Sequence, residues 1–204
     1  MDFTSFKKHH DVSRETFDKI AFFVDLLISW NSKINLMSHQ DLEHIWSRHI
    51  LDASQLLSFI KDGQKICDIG SGNGIPAMIL AIILDNNKFI LVETRKKRAV
   101  FLVQAATELK LKNVVVLNER IENSIIEADI LTARAFSDIS TMLNLTSNII
   151  IKDKFLLLKG KDVLNECFEA KKNWDFDYKI TPSVTAAESF IIEIFNRRRK
   201  TAAV

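Results

Sequence analysis

Glycine, proline and cysteine are scarce in this chain of 204 residues, which contains five, two and two of them, respectively. Two isolated cysteines, Cys67 and Cys167, do not make a disulfide framework and favour a reducing compartment. No run of roughly 18 apolar residues occurs, and Met1 to Phe6 is not the apolar core of a signal peptide. We therefore expect a cytoplasmic protein with no membrane partner and no metal site.

The beginning of the chain lacks residues that break helices, since no glycine and no proline precedes Gly63. Ser13 is a candidate helix cap, and apolar residues recur at helical spacing between Phe17 and Ile28. A second helix is predicted from near Asp41 to Ile60. Because no low-complexity linker follows, we expect residues 1–62 to form a helical cap packed on a second domain at 63–204.

From Gly63 onward, strand patterns alternate with helical patterns. The strands are predicted at 65–69, 88–92, 113–117, 128–133 and 154–159, with a final pair near 178–181 and 189–195. The helices are predicted at roughly 75–84, 96–110, 138–150 and 162–173. This alternation predicts a Rossmann-like α/β fold with helices on both faces of a largely parallel sheet and ligands along its carboxyl edge.

The loop after the first predicted strand concentrates glycine, with Gly70, Gly72 and Gly74 following Asp68. It is not a dinucleotide fingerprint, because Ile75 stands where that pattern needs its third glycine, and it lacks the lysine of a phosphate loop. The pattern D-x-G-x-G-x-G resembles the first motif of the S-adenosylmethionine-dependent methyltransferases. In that resemblance, Asp68 suits the ammonium group of the cofactor, and the glycines let backbone lie against its methionine part.

Further polar groups end the next strands. Glu93 follows Gly74 by 19 residues, the spacing at which doubly wound folds place an acid on ribose hydroxyls. After the third strand, Ile121 can pack on an adenine ring, and Glu122 can accept a hydrogen bond from its exocyclic amine. We predict S-adenosylmethionine as the cofactor and S-adenosylhomocysteine as the product.

The segment after the fourth strand bears on the reaction. Arg134 lies between two alanines, either facing a ligand or in a salt bridge to a helix. The proline-containing motif that usually accompanies methylation of a base amino group is absent there. Methylation at a pyrimidine C5 needs a cysteine nucleophile, and the nearest downstream cysteine, Cys167, lies in a helical pattern. Arg134 stands where ribose methyltransferases have an aspartate. An acceptor that is already nucleophilic remains, such as guanine N7. The pattern permits this acceptor without proving it.

The net charge is only +2, but basic residues cluster at 95–98, at 197–200 and, more weakly, at 7–10. Such clusters suit a phosphate-rich partner. Each one alone is equally consistent with a solvated helix start or chain end.

Six segments in order resemble the bacterial small-subunit ribosomal RNA guanine-N7 methyltransferases, also called the glucose-inhibited division protein B family. The segments are 30–36 (WNSKINL), 48–52 (RHILD), 68–76, 97–102, 120–122 (RIE) and 134–136 (RAF). The resemblance covers nearly the whole chain and implies a seven-stranded methyltransferase sheet. It also implies methyl transfer to N7 of a guanine in the decoding-region loop of 16S rRNA, so the expected partner is 16S rRNA or the small ribosomal subunit, and we expect a monomer.

The resemblance also assigns residues. Gly70 and Ile75 would line the cofactor pocket, with Ile121 and Glu122 at the adenine. Arg134 would reach the cofactor side. Arg120 and Arg134 are the arginines expected to hold the target nucleotide, as the catalytic pair.

Four polar residues of the helical segment have two possible roles. They either order the cap through buried hydrogen bonds, which we favour, or face the RNA: Asn31, Asn35, His49 and Asp52. The chain departs from the family at Ala77 and Ile79, where glycine and proline are usual, and at Ser189, where arginine is usual. Two alternatives stay open at this point, a methyltransferase of another substrate and a non-enzymatic RNA-binding protein.

Overall fold

The computed structural model describes residues 1–200 and contains one seven-stranded sheet. The strands are β1 (Lys65–Ile69), β2 (Lys88–Val92), β3 (Val114–Leu117), β4 (Glu127–Arg134), β5 (Ile150–Lys159), β6 (Trp174–Pro182) and β7 (Phe190–Arg199). Their order across the sheet is β3-β2-β1-β4-β5-β7-β6. Strands β1 to β5 run parallel and β7 is antiparallel to both neighbours. The predicted Rossmann-like α/β class is confirmed.

Helices cover both faces of this sheet. They are α1 (Phe3–Lys7), α2 (Arg14–Asn31), α3 (His39–Glu43), α4 (Leu51–Ser54), α5 (Ala77–Ile83), α6 (Lys96–Glu108), α7 (Ile139–Leu145) and α8 (Val163–Ala170). Side chains alternate along a strand, so the neighbours Ile66 and Cys67 enter different apolar cores. The first core lies under α2, α5 and α6, and the second lies under α7 and α8.

The helical segment before β1 shares the first core with the sheet. The ring of Phe101 in α6 lies 6.2 Å from the ring of Phe23 and 5.7 Å from that of Trp30, both in α2. Ser13 caps α2 as predicted, since its hydroxyl accepts a hydrogen bond from the Thr16 N–H at 3.0 Å. None of the described helices is long and apolar enough to cross a bilayer.

The single helix predicted from Asp41 to Ile60 is wrong. The chain there forms α3, a π-helical turn (Ile45–Ile50), α4 and a 3₁₀ turn (Gln55–Phe59). Polar side chains on this segment are buried against distant partners, which include Ser54 with His10 at 2.6 Å. The π-helical and 3₁₀ turns point side chains in directions that differ from those of a regular α-helix. The spacing of apolar residues does not predict these turns.

Two helices were also predicted to extend further than they do. Helix α7 ends at Leu145 and α8 at Ala170, because Ile150 already begins β5 and Trp174 begins β6. In β6, Trp174 and Phe176 are buried while Asp175 and Asp177 are exposed. This alternation is the period of a strand, and it was present in the sequence.

Candidate active site

The glycine loop after β1 has a backbone that only glycine adopts readily. Gly70, Gly72 and Gly74 have φ angles of +65°, +52° and +86°. The loop is tied to β2 by the Gly70 N–H, which donates to the Val92 carbonyl at 2.8 Å. Side chains at these positions would strain the backbone wherever the ligand lies.

The three glycines differ in what surrounds them. A Cβ on Gly70 would lie 2.5 Å from the Phe136 ring, and one on Gly74 would lie 2.8 Å from Met78. At Gly72 a Cβ would meet only the Gly70 carbonyl at 3.5 Å and the Arg98 guanidinium at 3.7 Å. Gly72 therefore presents the most open backbone, whereas Gly74 and the buried Ile75 belong to the apolar core behind the loop.

Glu93 joins the loop to the start of α6. Its Oε2 accepts a hydrogen bond from the Gly72 N–H at 2.8 Å, and its Oε1 accepts one from the Arg95 N–H at 2.7 Å. The side chain is 4% exposed. The Oε1 atom also accepts a long hydrogen bond from the Thr94 hydroxyl at 3.5 Å. Since each carboxylate oxygen has two lone pairs, Oε2 can still accept a hydrogen bond from a hydroxyl.

Asp68 is a buried acid without a cationic partner. It is 2% exposed, and its Oδ1 accepts a hydrogen bond from the Thr132 hydroxyl at 2.8 Å. Burial is the main cause that raises the pKa of Asp68 to about 6, and the nearby charge of Glu93 adds to the rise. Within residues 1–200 no lysine or arginine pairs with it, so its carboxylate can accept hydrogen bonds from an ammonium group such as that of S-adenosylmethionine.

The residues after β3 form a local ion pair beside a buried apolar group. Ile121 is buried in the second core, to which Val92 also belongs. The Arg120 guanidinium donates to Glu122 Oε1 at 2.9 Å, and this hydrogen bond is the first cause that lowers the pKa of Glu122. The Arg120 side chain is 69% exposed and thus free to move away from Glu122.

Arg134 ends β4 and is turned toward the helical segment. Its Nε lies 3.4 Å from Asp52 Oδ2 in a salt bridge, the second of the two roles considered for it. Burial lowers the pKa of Arg134, and the charge of Asp52 opposes that effect. The next residue, Ala135, has a φ of +51°, a strained conformation typical of functional sites. Arg120 and Arg134 thus lie in separate ion pairs.

Asp52 holds several elements together. Its Oδ1 accepts hydrogen bonds from the Thr185 hydroxyl at 2.9 Å and the Ser183 hydroxyl at 3.3 Å, both between β6 and β7. His49 Nε2 forms a hydrogen bond with Asp41 Oδ1 at 3.2 Å, and burial is the main cause that lowers the pKa of His49.

The two predicted asparagines lie in the same part of the helical segment. Asn31 is structural, since its Oδ1 accepts from the Leu36 and Met37 N–H groups. Asn35 contributes its carbonyl, which accepts from the Arg98 guanidinium at 3.2 Å.

A cavity of about 410 Å³ opens beside Arg134 at the carboxyl ends of β4 and β5. Charged, aromatic and small residues line it: Asp52, Arg134, Ala135, Phe136, Ser137, Leu158, Lys159, Gly160, Glu166, Ser189 and Phe190. Phe136 is common to this cavity and to the glycine loop, because its ring also covers Gly70. Within the described chain, no cluster of His, Cys, Asp and Glu could hold a metal ion.

The basic clusters have different surroundings. Arg95, Lys96 and Lys97 are exposed where α6 begins, directly after Glu93. Arg197, by contrast, is partly buried and donates to the Thr146 carbonyl at 2.7 Å and the Ile149 carbonyl at 2.8 Å. A phosphate-binding role for Arg197 is therefore wrong, while Arg198 and Arg199 remain exposed.

Comparison with known proteins identifies the family. The family model described as GidB, rRNA small subunit methyltransferase G, matches residues 16–193. The chain belongs to this family. A relative named Ribosomal RNA small subunit methyltransferase G from Rickettsia prowazekii (strain Madrid E) is 41% identical over 186 residues, which cover 91% of this chain and 96% of the relative. One from Rickettsia bellii (strain OSU 85-389) is 42% identical over 185 residues, covering 90% and 95%.

Solved methyltransferases share the fold of this rRNA small subunit methyltransferase G family member. A SAM dependent methyltransferase from Aquifex aeolicus superposes with a TM-score of 0.60 at 13% identity, over 75% of this chain and 93% of its own. TYW2 from M. jannaschii, in complex with AdoMet, gives 0.55 at 14% identity, over 83% and 80%. At such identities the likeness shows the seven-stranded fold alone.

Four residues at the site were missed or given no role from the sequence. Thr132 bonds Asp68, Phe136 covers Gly70, and Lys159 and Glu166 form an ion pair in the cavity. The strand end at Lys159 was the available signal, since it lies on the ligand-binding edge. Glu166 lies on a helix and left no comparable signal.

Proposed function

We propose that the protein transfers a methyl group from S-adenosylmethionine to N7 of a guanine in the decoding-region loop of 16S rRNA. The observation that carries the proposal is the site around Gly72, where an unpaired buried Asp68, an open glycine backbone and Glu93 meet in a member of the rRNA small subunit methyltransferase G family. The alternatives of another substrate or a non-enzymatic protein have no comparable support.

The cofactor site is proposed residue by residue. Asp68 would bind the ammonium group, the backbone at Gly70 and Gly72 would follow the methionine part, and Glu93 would bind the ribose hydroxyls. Ile121 would pack on the adenine, and Glu122 would accept from its amine once Arg120 turns away.

Two further residues of the predicted cofactor site are treated differently. We give Gly74 and Ile75 a supporting role behind the loop, because their surroundings are apolar side chains. We give Arg134 a place between the cofactor and the target nucleotide, at the wall of the cavity.

Methyl transfer to guanine N7 does not require this protein to remove a proton from the acceptor atom. Bound S-adenosylmethionine supplies an electrophilic methyl group, and guanine N7 carries a free lone pair with no proton to remove. The protein then contributes position and electrostatics. Arg134, held by Asp52, would bind the target nucleotide beside the cofactor, and Arg120 would approach it from the end of β3.

The wider assignments follow from the substrate. Exposed Arg95, Lys96 and Lys97 would contact rRNA phosphates, and residues 1–62 would act as a cap on the methyltransferase domain at 63–204. We propose a monomer that acts in the cytoplasm, where ribosomal subunits are assembled, with a role in rRNA processing.

A labelled methyl-transfer assay tests the proposal. The protein is incubated with methyl-labelled S-adenosylmethionine and either 16S rRNA or small subunits, and the RNA is cleaved chemically at N7-methylguanine. One cleavage in the decoding-region loop is expected. Label at another atom or in another RNA, or no label on either substrate despite cofactor binding, would contradict the proposed function.

A further inference from the structure

The cavity at the ends of β4 and β5 is separated from the cofactor loop by one side chain. The Phe136 ring covers Gly70 on one side and lines the cavity on the other. Methyl transfer needs the acceptor atom about 3–3.5 Å from the donor carbon. Because the Phe136 ring lies between the cavity and the loop, it has to move before a base in the cavity can approach the methyl group.

The lining of the cavity suits a purine base taken out of its stack. Phe136 and Phe190 contribute aromatic side chains to its wall, and Arg134 and Lys159 are cationic. Enzymes that modify extruded bases hold them by stacking and by hydrogen bonds to the Watson–Crick edge. On that edge guanine presents the N1–H and N2–H donors, which call for an acceptor such as a carboxylate.

Of the two carboxylates in the cavity, Asp52 is already engaged. Its Oδ1 accepts from Ser183 and Thr185, and its Oδ2 faces Arg134. In Glu166, one oxygen takes all the bonds: Oε2 accepts from the Lys159 ammonium at 2.6 Å and from the Ile139 N–H at 2.9 Å. Among the described residues Oε1 has no hydrogen-bond partner, so both of its lone pairs are available.

We infer that Glu166 is the residue that recognises the Watson–Crick edge of the target guanine, and that Lys159 positions it. This inference rests on the proposed function. Lys159 also donates to the Ser137 carbonyl, which fixes the ammonium between β4 and α8. Adenine places an acceptor at N1 against the same carboxylate and is rejected. Recognition through this edge leaves N7, on another edge of the base, free for the methyl group.

Glu166→Gln is a sharp test, because the protein fixes which way the amide points. Lys159 and the Ile139 N–H both donate, so the amide oxygen takes the place of Oε2. The amide NH₂ then takes the place of Oε1 and opposes the donors of guanine. Glu169→Gln is the matched control, since Glu169 lies on the same helix in an exposed pair with Lys172.

The assay compares small subunits whose 16S rRNA carries guanosine or inosine at the target position. Inosine keeps N7 and N1–H but lacks the 2-amino group. We expect wild type and Glu169→Gln to use inosine about tenfold less well in kcat/KM, the cost of one hydrogen bond to a charged group. In Glu166→Gln we expect a loss of at least about tenfold with guanosine and a guanosine-to-inosine ratio near one.

Calorimetric binding of S-adenosylmethionine separates the possible failures. We expect the dissociation constant of Glu166→Gln to stay within about twofold of wild type. An unchanged guanosine-to-inosine ratio in Glu166→Gln would mean a merely structural role and would overturn the inference, as would equal use of both bases by wild type. If Glu166→Gln does not fold, Glu166→Asp replaces it in the test. The shorter side chain keeps the negative charge beside Lys159 but moves the free oxygen away from the base. We expect Glu166→Asp to bring the guanosine-to-inosine ratio closer to one than in wild type. Failure of wild type to label guanosine would instead overturn the proposed function.

Discussion

At the residue scale, Gly72 separates backbone strain from cofactor binding. A methyl group at Gly72 meets no protein atom closer than 3.5 Å. Gly72→Ala should therefore lower the free energy of unfolding only by the strain of a positive φ, about 1–2 kcal/mol. The added methyl group would occupy the space that we propose for the cofactor. We expect S-adenosylmethionine to bind at least about tenfold more weakly by calorimetry. Gly63→Ala is the control, with a φ of +76° and no atom within 4 Å. Similar destabilisation with normal cofactor affinity is expected there, and equal affinities in both variants would refute the site.

The ionised side chain of Asp68 is expected to lower the stability of the protein, although we propose that it binds the cofactor. Its pKa is about 6 in the folded chain against an ordinary 3.8, so the folded state holds the proton more tightly than the unfolded state. Stability of the cofactor-free protein should therefore fall as pH rises from about 4 to about 6, by on the order of 3 kcal/mol. Urea unfolding across this range checks it. Asp68→Asn should flatten the profile, be more stable at pH 8 and lose cofactor affinity, and a profile identical to wild type would contradict the assignment.

At the element scale, Arg197 terminates α7 from a distant strand. Its guanidinium bonds the Thr146 and Ile149 carbonyls and lies 4.8 Å from the Phe155 ring, and burial lowers its pKa to about 10. Removing it deletes the hydrogen bonds that its guanidinium donates to the Thr146 and Ile149 carbonyls, in the segment that follows α7. We expect Arg197→Met to lower the free energy of unfolding by about 2–4 kcal/mol, and Arg198→Met to change it by less than about 0.5 kcal/mol. Equal effects by urea unfolding would remove this role.

Comparison of the predicted and observed elements shows which parts of the structure follow from the sequence. Strands β1 and β2 were predicted at their observed bounds, because short apolar runs ended by turn residues have few other interpretations. The glycine loop and Glu93 followed from their spacing. Arg197 was grouped with the basic cluster at 197–200, for which both a phosphate-rich partner and a solvated chain end were considered. Its inward position was missed because the extension of β7 to Arg199 has no apolar pattern. Glu166 and the π-helical turn depend on tertiary partners, which a single sequence does not name.

At the scale of the whole molecule, exposed cations lie at the carboxyl edge of the sheet, where we propose that its ligands bind. Arg95, Lys96 and Lys97 are exposed beside Glu93 at the carboxyl edge. At the amino edge, Lys88 is the first residue of β2, and Lys61 and Lys112 precede β1 and β3; these three lysines are exposed as well. If rRNA crosses the carboxyl edge, only the first set contacts phosphate, and each contact releases counterions.

Two triple glutamine variants with the same change in net charge test this asymmetry, one for each set. Binding of 16S rRNA is measured against salt concentration, and each lost phosphate contact lowers the slope of log K against log salt by about 0.7–1. We expect the variant at 95–97 to bind RNA weakly with a slope reduced by about 2–3, while the variant at the amino edge keeps the wild-type slope. Both should bind S-adenosylmethionine normally, since only the backbone N–H of Arg95 contacts Glu93. Equal slopes in the two variants would mean that net charge, and not the position of the cluster, attracts the RNA.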